Sequence, residues 1–493
     1  MPISRRDFLK LSGLTAGAVA GHALFAHPLV ARAMATVVPN RYFVVLFLDG
    51  GNDGLNTITP ITNGGGDLRT GYEAARRTGN GGLQLATAEL LPLTIAGRVG
   101  RDPNTGAELG MHPGLAGQGI AGIGDGGLHS LWQDGRVAVV QGCGYPAYSL
   151  SHERSETIMQ FANPFGLQQS SGSGWMGRYF AGAFGANDAV AATVGSGVHV
   201  AGEFVNPATS VLALDDLDSF DFPYDPSERW NPSFAAARRQ AFLDLCAGAR
   251  TESPYASIAD AGRTTLVSAE SYHALPNTPR HDDYHALDTG VADGFAEIAR
   301  VIQAAEAGAP NVNVRFFQLS TGGYDTHSNQ GAAQSGSWHR TLHGRVGSAL
   351  RNFFDDLDAI GPGIADRVTV FVWSEFARRV IQNENGSDHG SQGPMFVVGG
   401  GVNGGVYGNH PNIAEAALDD NGNSVYSQTG AFRSTDIRDV YGTILKHWIG
   451  VPAATVATML PADSQGGLPA SAQWAAPNFD LTRGHDAAPL FAV

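Results

Sequence analysis

The segment that decides the fold reads YFVVLFLDGGNDG and spans residues 42–54. Seven apolar, β-prone residues follow one another without a break, and a polar, glycine-rich stretch begins abruptly at Asp49. An unbroken apolar run of this length is typical of a strand that is buried on both faces, as in a parallel sheet. The segment therefore predicts a central strand over 41–48 that leads into a polar loop over 49–54.

Strand and helix patterns alternate along the rest of the chain. Further strands are predicted over 137–140, 314–319, 368–373 and 395–398, and apolar residues at helical spacing predict helices over 291–304, 342–357 and 437–448. For the last helix, Ser434 is the predicted N-cap and Gly450 stands just past the end. The alternation predicts an α/β fold with a doubly wound, mostly parallel central sheet and helices on both faces.

The first residues have the features of an export signal. Residues 4–10 read SRRDFLK, and they are followed by a weakly apolar run over 11–30 and by small residues around Ala33. This pattern predicts a twin-arginine signal peptide over 1–33, cleaved after Ala33 or Ala35 and read by the twin-arginine export machinery. His22 and His27 interrupt the apolar run, so no stable membrane anchor is expected. The predicted location is periplasmic or secreted.

The composition and net charge of the chain limit the classes of molecule that it is expected to bind. Hydrophobic residues make up 43% of the chain and charged residues 16%, which is enough to bury a large core, and the formal net charge is −15. An acidic surface of this kind argues against nucleic acid and anionic lipid as partners. The two cysteines, Cys143 and Cys246, are too few for a disulfide scaffold, and the sequence leaves open whether they pair.

Candidate functional residues follow the predicted strands. In open α/β sheets, ligands bind beyond the carboxyl ends of the strands, so polar residues at these positions are the first to consider. Carboxylates and imidazoles from several strand ends are the donors that a divalent metal needs, and the set suffices for one or two ions, without distinguishing Zn, Ca, Mg or Mn. The predicted ligands are Asp49, Asp325, His327, Glu375, Asp388 and His389.

Some of these residues have simpler interpretations. Asp49 and Asp53 lie in a Gly-Asn-Asp-Gly turn, where their side chains could bond to the local backbone. Glu375 could pair with Arg378 or Arg379 instead of binding a metal.

A nucleophile is predicted at Ser151, with His152 beside it as a second catalytic residue. A serine next to a bound metal can ionise, and a nearby histidine can stabilise the displaced oxygen. The alternative is that Ser151 caps the helix that begins there. His112 and His410 each precede a proline, which is more typical of loop residues, and they are not included among the candidates.

Several short motifs together resemble a known family. In chain order they are FLDGGNDGLN (47–56), SHERS (151–155), SGWMGRY (173–179), GGYDTH (322–327), WSEFAR (373–378), SDHG (387–390) and GGGVNGG (399–405). They resemble the DUF1501 family, a domain of unknown function, over nearly all of the chain after the signal. That family looks like a distant branch of the alkaline phosphatase and sulfatase superfamily, whose members act on phosphate and sulfate esters at one or two metals.

The resemblance implies an alkaline-phosphatase-like domain over 34–493, with residues 203–285, which are rich in proline and acidic runs, as a cap or insertion. It implies that Asp49 is the metal aspartate of the first strand, that Asp388 and His389 form the Asp-His pair, and that Asp325 and His327 serve the other metal. Ser151 stands at the approximate place of the nucleophile. The superfamily usually has its Asp-His pair directly at a strand end, where this chain has Glu375.

The function that these patterns predict is an exported, metal-dependent hydrolase of phosphate or sulfate esters, with a small anionic ester as substrate. The alternative is a non-catalytic periplasmic binding or assembly protein that retains the fold. The two differ in whether Asp49, Asp325, His327 and His389 converge on a common point.

Overall fold

The computed structural model describes residues 41–492 except 96–97, 147, 165–171, 186–187, 196–199, 207–208, 221–231, 249–251, 253–254, 274, 414–432, 461–473, 475–476 and 484–485. The predicted twin-arginine signal and its cleavage sites lie outside the described residues.

The described strands differ widely in length. They are β1 (Tyr42–Leu48), β2 (Ile58–Pro60), β3 (Leu91–Pro92), β4 (Thr94–Ile95), β5 (Arg98–Val99), β6 (Leu109–Met111), β7 (Val137–Gly144), β8 (Ala191–Val194), β9 (Val211–Leu214), β10 (Phe316–Thr321), β11 (Val368–Trp373), β12 (Ala377–Arg378), β13 (His389–Gly390), β14 (Gly393–Gly399), β15 (Gly405–Tyr407) and β16 (Thr435–Asp436).

The described helices are α1 (Gly54–Thr57), α2 (Leu68–Ala75), α3 (Gly127–Gln133), α4 (His152–Phe161), α5 (Trp175–Ala183), α6 (Pro232–Ala247), α7 (Tyr255–Tyr272), α8 (His281–Leu287), α9 (Gly290–Glu306), α10 (Trp338–Ile360), α11 (Ile437–Thr443) and α12 (Ala453–Met459). A π-helical turn, Ile444–Trp448, extends α11. Short 3₁₀ helices are Thr87–Glu89, Pro113–Ala116, Gly202–Phe204 and Ala365–Arg367.

Nine of the described strands form the central sheet. Eight run in the order β15-β7-β14-β11-β1-β10-β8-β9, and β16 also pairs with β7. All pairings are parallel except those of β14, which is antiparallel to both β11 and β7. The sheet is therefore mixed and mostly parallel, as predicted, with β1 near its middle.

Both faces of the sheet are covered, because side chains alternate along the strands. From β1, Tyr42, Val44, Leu46 and Leu48 pack into one core with α3, α9 and α10. Phe43, Val45 and Phe47 point to the other face and pack with α4, α5, α11 and α12. A strand that is buried on both faces needs apolar residues at every position, which explains the unbroken run over 42–48.

The predicted elements agree with the observed ones apart from their ends. The predicted strand over 137–140 extends to Gly144, and the helix predicted over 342–357 spans Trp338–Ile360. The prediction of Ser434 as N-cap of the last helix was wrong: Asp436 has that position, and its side chain accepts a hydrogen bond from the backbone N–H of Arg438. Gly450 has a φ of 84° just past the helix end, as expected from its position.

Residues 203–285, the predicted cap or insertion, contain β9 at the edge of the main sheet and then α6 and α7. Cys143 is buried in β7 and Cys246 is partly exposed on α6, and both are free thiols. None of the described helices combines the length and apolar character needed to cross a bilayer.

Candidate metal centre

Three loops meet at one edge of the sheet because their strands are parallel and in register. Leu48 of β1 is level with Thr321 of β10, and Phe47 is level with Trp373 of β11. The residues that follow these strands must therefore emerge side by side. They include Asp49, Asp325 and Glu375, which the sequence had selected as candidate ligands.

The loop after β1 lies tightly against its neighbours. Gly50 has a φ of +118°, and a Cβ atom on it would collide with the backbone nitrogen of Asp325. Glycine is therefore required here for close approach as well as for backbone conformation. The backbone N–H groups of Gly50 and Gly51 donate to Oε1 and Oε2 of Glu375 at 2.9 and 3.1 Å. Glu375 is thus held by the loop of the neighbouring strand, and its side chain is 1% exposed.

Arg378 ties the same loops together from within. Its buried guanidinium donates to the backbone oxygens of Gly51 at 2.7 Å, Tyr324 at 2.8 Å and Ser387 at 2.9 Å, and also to that of Gly50. It pairs with Oδ1 of Asp325 at 2.8 Å. One side chain therefore fixes the positions of the loops after β1, β10 and β11.

Three histidines converge at this edge, and we call His152, His327 and His389 the site histidines. His152 begins α4, His327 follows β10, and His389 lies in β13, which pairs with β12 to form a small hairpin beyond β11. In each of them Nδ1 contacts an oxygen acceptor. The partners are Glu375 Oε1 at 2.6 Å, Asp388 Oδ1 at 3.0 Å and the Leu150 carbonyl at 2.7 Å, respectively.

These acceptors determine which ring nitrogen carries the proton. A backbone carbonyl or an ionised carboxylate can only accept, so Nδ1 of each site histidine is assigned as the donor; Nε2 then offers a lone pair to a metal ion when the imidazole is neutral and donates towards Asp325 when it is protonated. All three Nε2 atoms face Asp325. His327 Nε2 and His389 Nε2 are each 3.2 Å from Asp325 Oδ1, and His152 Nε2 is 3.6 Å from Oδ2.

The spacing of the donor atoms fits a metal ion. His327 Nε2 and His389 Nε2 lie 2.9 Å apart, a separation at which two lone pairs repel unless a proton or a cation lies between them. Four ligands at the usual 2.0–2.1 Å from zinc in a tetrahedron are about 3.3 Å from one another. The observed donor separations bracket that value. The residues present therefore fit a divalent cation held by Asp325 and the site histidines, with Glu375 and Asp388 orienting two imidazoles from behind.

Protonation states also suit a metal. Burial raises the pKa of Asp325, but hydrogen bonds from Arg378 and His389 outweigh it and lower the pKa to about 2. Burial lowers the pKa of His389 despite its contacts with Leu150 and Asp325. An ionised carboxylate and a neutral imidazole are the forms that bind metal ions.

A second group of donors shares His152 with the first. Asp49, His152 and Glu375 each offer a ligand atom within 4.8 Å of the others. The Asp49 carboxylate is exposed, and among the described residues it has no hydrogen-bond partner. Its pKa is raised by burial and by repulsion from Glu375. Both Glu375 oxygens are already hydrogen bonded, so Asp49 is the freer carboxylate of this group.

The structure brings all the predicted site residues to one region, in different positions. Asp325, His327 and His389 have donor atoms that converge, and Asp49 lies beside them. Asp388 contacts Nδ1 of His327, on the side of the ring away from Asp325. Burial raises the pKa of Asp388, but the hydrogen bond with His327 and the charge of Arg379 outweigh burial and lower the pKa. Arg378 pairs with Asp325 and Arg379 with Asp388. The Glu375 carboxylate accepts from Gly50 and Gly51 and contacts His152.

Ser151 and His152 lie at the start of α4. Ser151 occupies the N-cap position, but its side chain makes no capping hydrogen bond and it is exposed. His152, predicted as a catalytic residue, lies among the candidate metal donors. Sequence reasoning did not include His152 in the candidate ligand set, and it missed the position of Arg378 between the loops. The closeness of His152 to Ser151 was visible, but nothing local reveals that α4 starts opposite the loop after β10.

The fold and the site together define an α/β protein with a three-histidine, one-aspartate cluster at the carboxyl edge of its sheet. A family model described as "Protein of unknown function (DUF1501)" matches residues 137–427, more than half of the chain. This protein therefore belongs to the DUF1501 family, and the predicted resemblance is confirmed. A search of curated proteins finds no match.

Solved structures with a similar fold are sulfatase-like and alkaline-phosphatase-like proteins. The lipoteichoic acid synthase LtaP from Listeria monocytogenes is 9% identical, with coverage of 86% of this chain and 78% of that chain and a TM-score of 0.32. The PsFucS1 sulfatase from Pseudoalteromonas sp. is 11% identical, with coverage of 90% and 73% and a TM-score of 0.31. A variant of the alkaline phosphatase PafA is 12% identical, with coverage of 69% of this chain and 64% of that chain and a TM-score of 0.20. At these TM-scores the similarity carries no inference about activity.

Proposed function

We propose that this protein is a metal-dependent hydrolase of phosphate or sulfate esters. The observation that carries the proposal is the arrangement of the site histidines. Each has its Nδ1 held by an oxygen acceptor and its Nε2 directed at the Asp325 carboxylate. Such imidazoles, oriented from behind by acceptors, are typical of metal ligands.

Asp325, His152, His327 and His389 would hold the ion. A bound divalent cation supplies Lewis acidity, which stabilises negative charge on the oxygens of a phosphate or sulfate ester. Asp49 lies beside the cluster with a free carboxylate, and it can accept the proton of the attacking group, either Ser151 Oγ or a water. Ser151 precedes His152 directly, and its hydroxyl is exposed.

The remaining residues keep these groups in place. Glu375 holds the His152 imidazole through Nδ1, and the backbone of Gly50 and Gly51 holds Glu375. Arg378 fixes the loops that carry Asp49 and Asp325, and it compensates the charge of Asp325 when the site is empty. Such preorganisation reduces the cost of placing the donors around an ion or a substrate.

Export through the twin-arginine pathway is part of the proposal. It rests on the SRRDFLK string and the weakly apolar run after it. Replacing Arg5 and Arg6 by lysine should retain the protein in the cytoplasm when fractions of cells are probed with an antibody. Unchanged secretion would overturn this part of the proposal and leave the site chemistry unaffected.

The central experiment measures metal content. Purified wild-type protein should contain one or two equivalents of a divalent metal by elemental analysis, and it should cleave 4-nitrophenyl phosphate or 4-nitrophenyl sulfate. Asp325→Ala and His389→Ala should lose the metal and the activity, whereas His129→Ala, at a partly exposed histidine of α3, should keep both. A folded wild type without metal that hydrolyses no ester would favour the alternative, a binding or assembly protein.

A further inference from the structure

A cleft of about 960 Å³ lies beside the metal centre. Asp49 lines it and also belongs to the donor group of His152 and Glu375, so the cleft opens onto the site. Its walls come from the carboxyl ends of β1, β8 and β10, from α4, and from the start of α9. A volume in this range suits an organic ligand and far exceeds the needs of an ion.

The lining of the cleft is predominantly acidic. Besides Asp49, six carboxylates line it, together with two histidines, His281 and His285, and no lysine or arginine occurs among the described lining residues. A concave wall of this kind concentrates a negative potential that attracts cations and repels anions. The six are Glu156, Asp215, Asp216, Asp218, Asp293 and Glu297.

An unpartnered buried amide faces the same cleft. Gln318 is 6% exposed and lines the cleft from the middle of β10, next to Thr193 of β8. Within the described part of the chain no group hydrogen-bonds its side chain. Its amide can therefore hydrogen-bond only with a group that enters the cleft, either water or a polar group of a ligand.

The protein itself leaves the negative charge only partly neutralised. Arg300 pairs with Asp218 at 2.6 Å and with Glu297 at 3.1 Å, and His285 lies 3.4 Å from Asp293, whereas Glu156, Asp215 and Asp216 have no ion pair among the described residues. Burial raises the pKa of Glu297 to about 7, although Arg300 acts in the opposite direction. Burial and the charges of Asp49 and Glu375 raise the pKa of Glu156. Carboxylates with raised pKa values are sites where a cationic ligand group has a favourable electrostatic effect.

We propose that the cleft binds an organic cation, so that the substrate is a zwitterionic ester with its phosphate or sulfate at the metal centre and an amine or quaternary ammonium group in the cleft. Binding of the anionic group at the metal centre rests on the proposed function. Binding of the cationic group depends on the residues of the cleft alone, and it can therefore be tested separately. The metal centre would attract the anionic end of such an ester and the acidic cleft its cationic end, so the ester would bind in one orientation only.

The first test uses the protein after metal removal with EDTA. Choline and its neutral isostere 3,3-dimethylbutan-1-ol are placed in one tube, because each gives a single proton resonance from nine equivalent methyl hydrogens. Saturation transfer from the protein should be stronger for choline, with an apparent affinity about tenfold higher, and the preference should fall as salt is added. Equal transfer to both probes would overturn the inference.

Matched variants locate the effect. The double variant Asp215→Asn with Asp216→Asn removes two exposed carboxylates of the cleft and should abolish most of the preference. Gln318→Leu should weaken binding of both probes, because their hydroxyl groups lose the amide. The control, Asp125→Asn with Asp358→Asn, changes the net charge by the same amount outside the cleft and should leave the preference intact. An equal loss in the control would show nonspecific attraction and overturn the inference.

The second test uses metal-loaded protein with choline phosphate and choline sulfate, each beside the matching 3,3-dimethylbutyl ester. Faster cleavage of a choline ester than of its neutral counterpart supports both proposals. Choline binding without cleavage of any of the four esters leaves the cleft as a cation site and contradicts the hydrolase. Equal cleavage of a choline ester and its counterpart supports the hydrolase and contradicts the role of the cleft in substrate selection.

Discussion

The described part of the chain contains two groups of three histidines, and the two groups differ in exposure and in the partners of their ring nitrogens. The site histidines surround Asp325 at the open edge of the sheet. The buried histidines, His112, His339 and His343, have ring centroids 4.2 to 5.1 Å apart and are at most 1% exposed. Both groups adjoin the loop after β1, with Asp49 to Gly51 beside the first group and Asn52 beside the second.

The buried histidines lack what orients a metal ligand. His343 Nε2 contacts Thr57 Oγ1 at 3.2 Å, and among the described residues no carboxylate pairs with any of the three. His112 Nδ1 accepts a hydrogen bond from Gly114 N at 2.9 Å, so this nitrogen is not available to a metal. Burial lowers the pKa of His112 to about 3 and those of the other two well below the ordinary value. Closeness of imidazoles alone therefore does not make a metal site.

The largest expected effect is on the free energy of unfolding, and it compares two buried arginines, Arg378 and Arg76. Arg378→Met and Arg76→Met should each reduce the free energy of unfolding by about 3–5 kcal/mol, because each leaves buried hydrogen-bonding groups or a carboxylate uncompensated. Arg76 pairs with Asp53 at 2.7 Å, and both side chains are fully buried. Only Arg378→Met should also lower the metal content. Denaturant unfolding with elemental analysis checks both, and equal metal loss in the two variants would contradict the assignment of Arg378 to the site loops.

The next effect compares one histidine from each group. His327→Ala removes one of four donors, and a quarter of the roughly 10–16 kcal/mol of a structural zinc site is about 2.5–4 kcal/mol, or about 60-fold to 700-fold in affinity. His343→Asn should leave metal affinity unchanged. Competition with a chelator measures both values. If His343→Asn weakened the metal as much as His327→Ala, the difference between the groups would disappear.

A smaller effect on metal affinity is expected from Asp388, which contacts the ring nitrogen of His327 that does not face Asp325. Asp388 Oδ1 lies 3.0 Å from His327 Nδ1, and Asp388→Asn keeps the acceptor while removing its charge. Metal affinity should fall about 10-fold to 100-fold, as is usual when a group behind a ligand is changed. The same chelator competition applies, with Asp358→Asn as an exposed control. An unchanged affinity would show that Asp388 does not orient His327.

The smallest effect concerns pH. The folded pKa of His112 lies below the unfolded value of about 6.5, so between these values the unfolded chain binds a proton that the folded chain does not. This group therefore makes the free energy of unfolding fall as the pH decreases below about 6.5. His112→Asn keeps an acceptor for Gly114 N and should reduce that slope by up to about 1.4 kcal/mol per pH unit. Denaturant unfolding at pH 4 to 7 measures it, and an unchanged slope would mean that His112 takes up its proton in the folded state.

The sequence by itself determined the class of fold and the edge of the sheet where the site lies. The continuous apolar run over 42–48 requires a strand that is covered on both faces, and parallel neighbours place Asp49, Asp325 and Glu375 together. These conclusions follow from local periodicity and from the geometry of parallel strands, which do not depend on distant packing.

Only the tertiary structure decided which atoms converge. The direction of an imidazole depends on what its second nitrogen contacts, and those partners lie far away in the chain: Glu375 is 223 residues from His152, and Leu150 is 239 residues from His389. Packing likewise separated the site histidines from the buried histidines and made β14 antiparallel. Sequence names the donors because they are local, whereas coordination geometry is set by long-range contacts that a single sequence does not record.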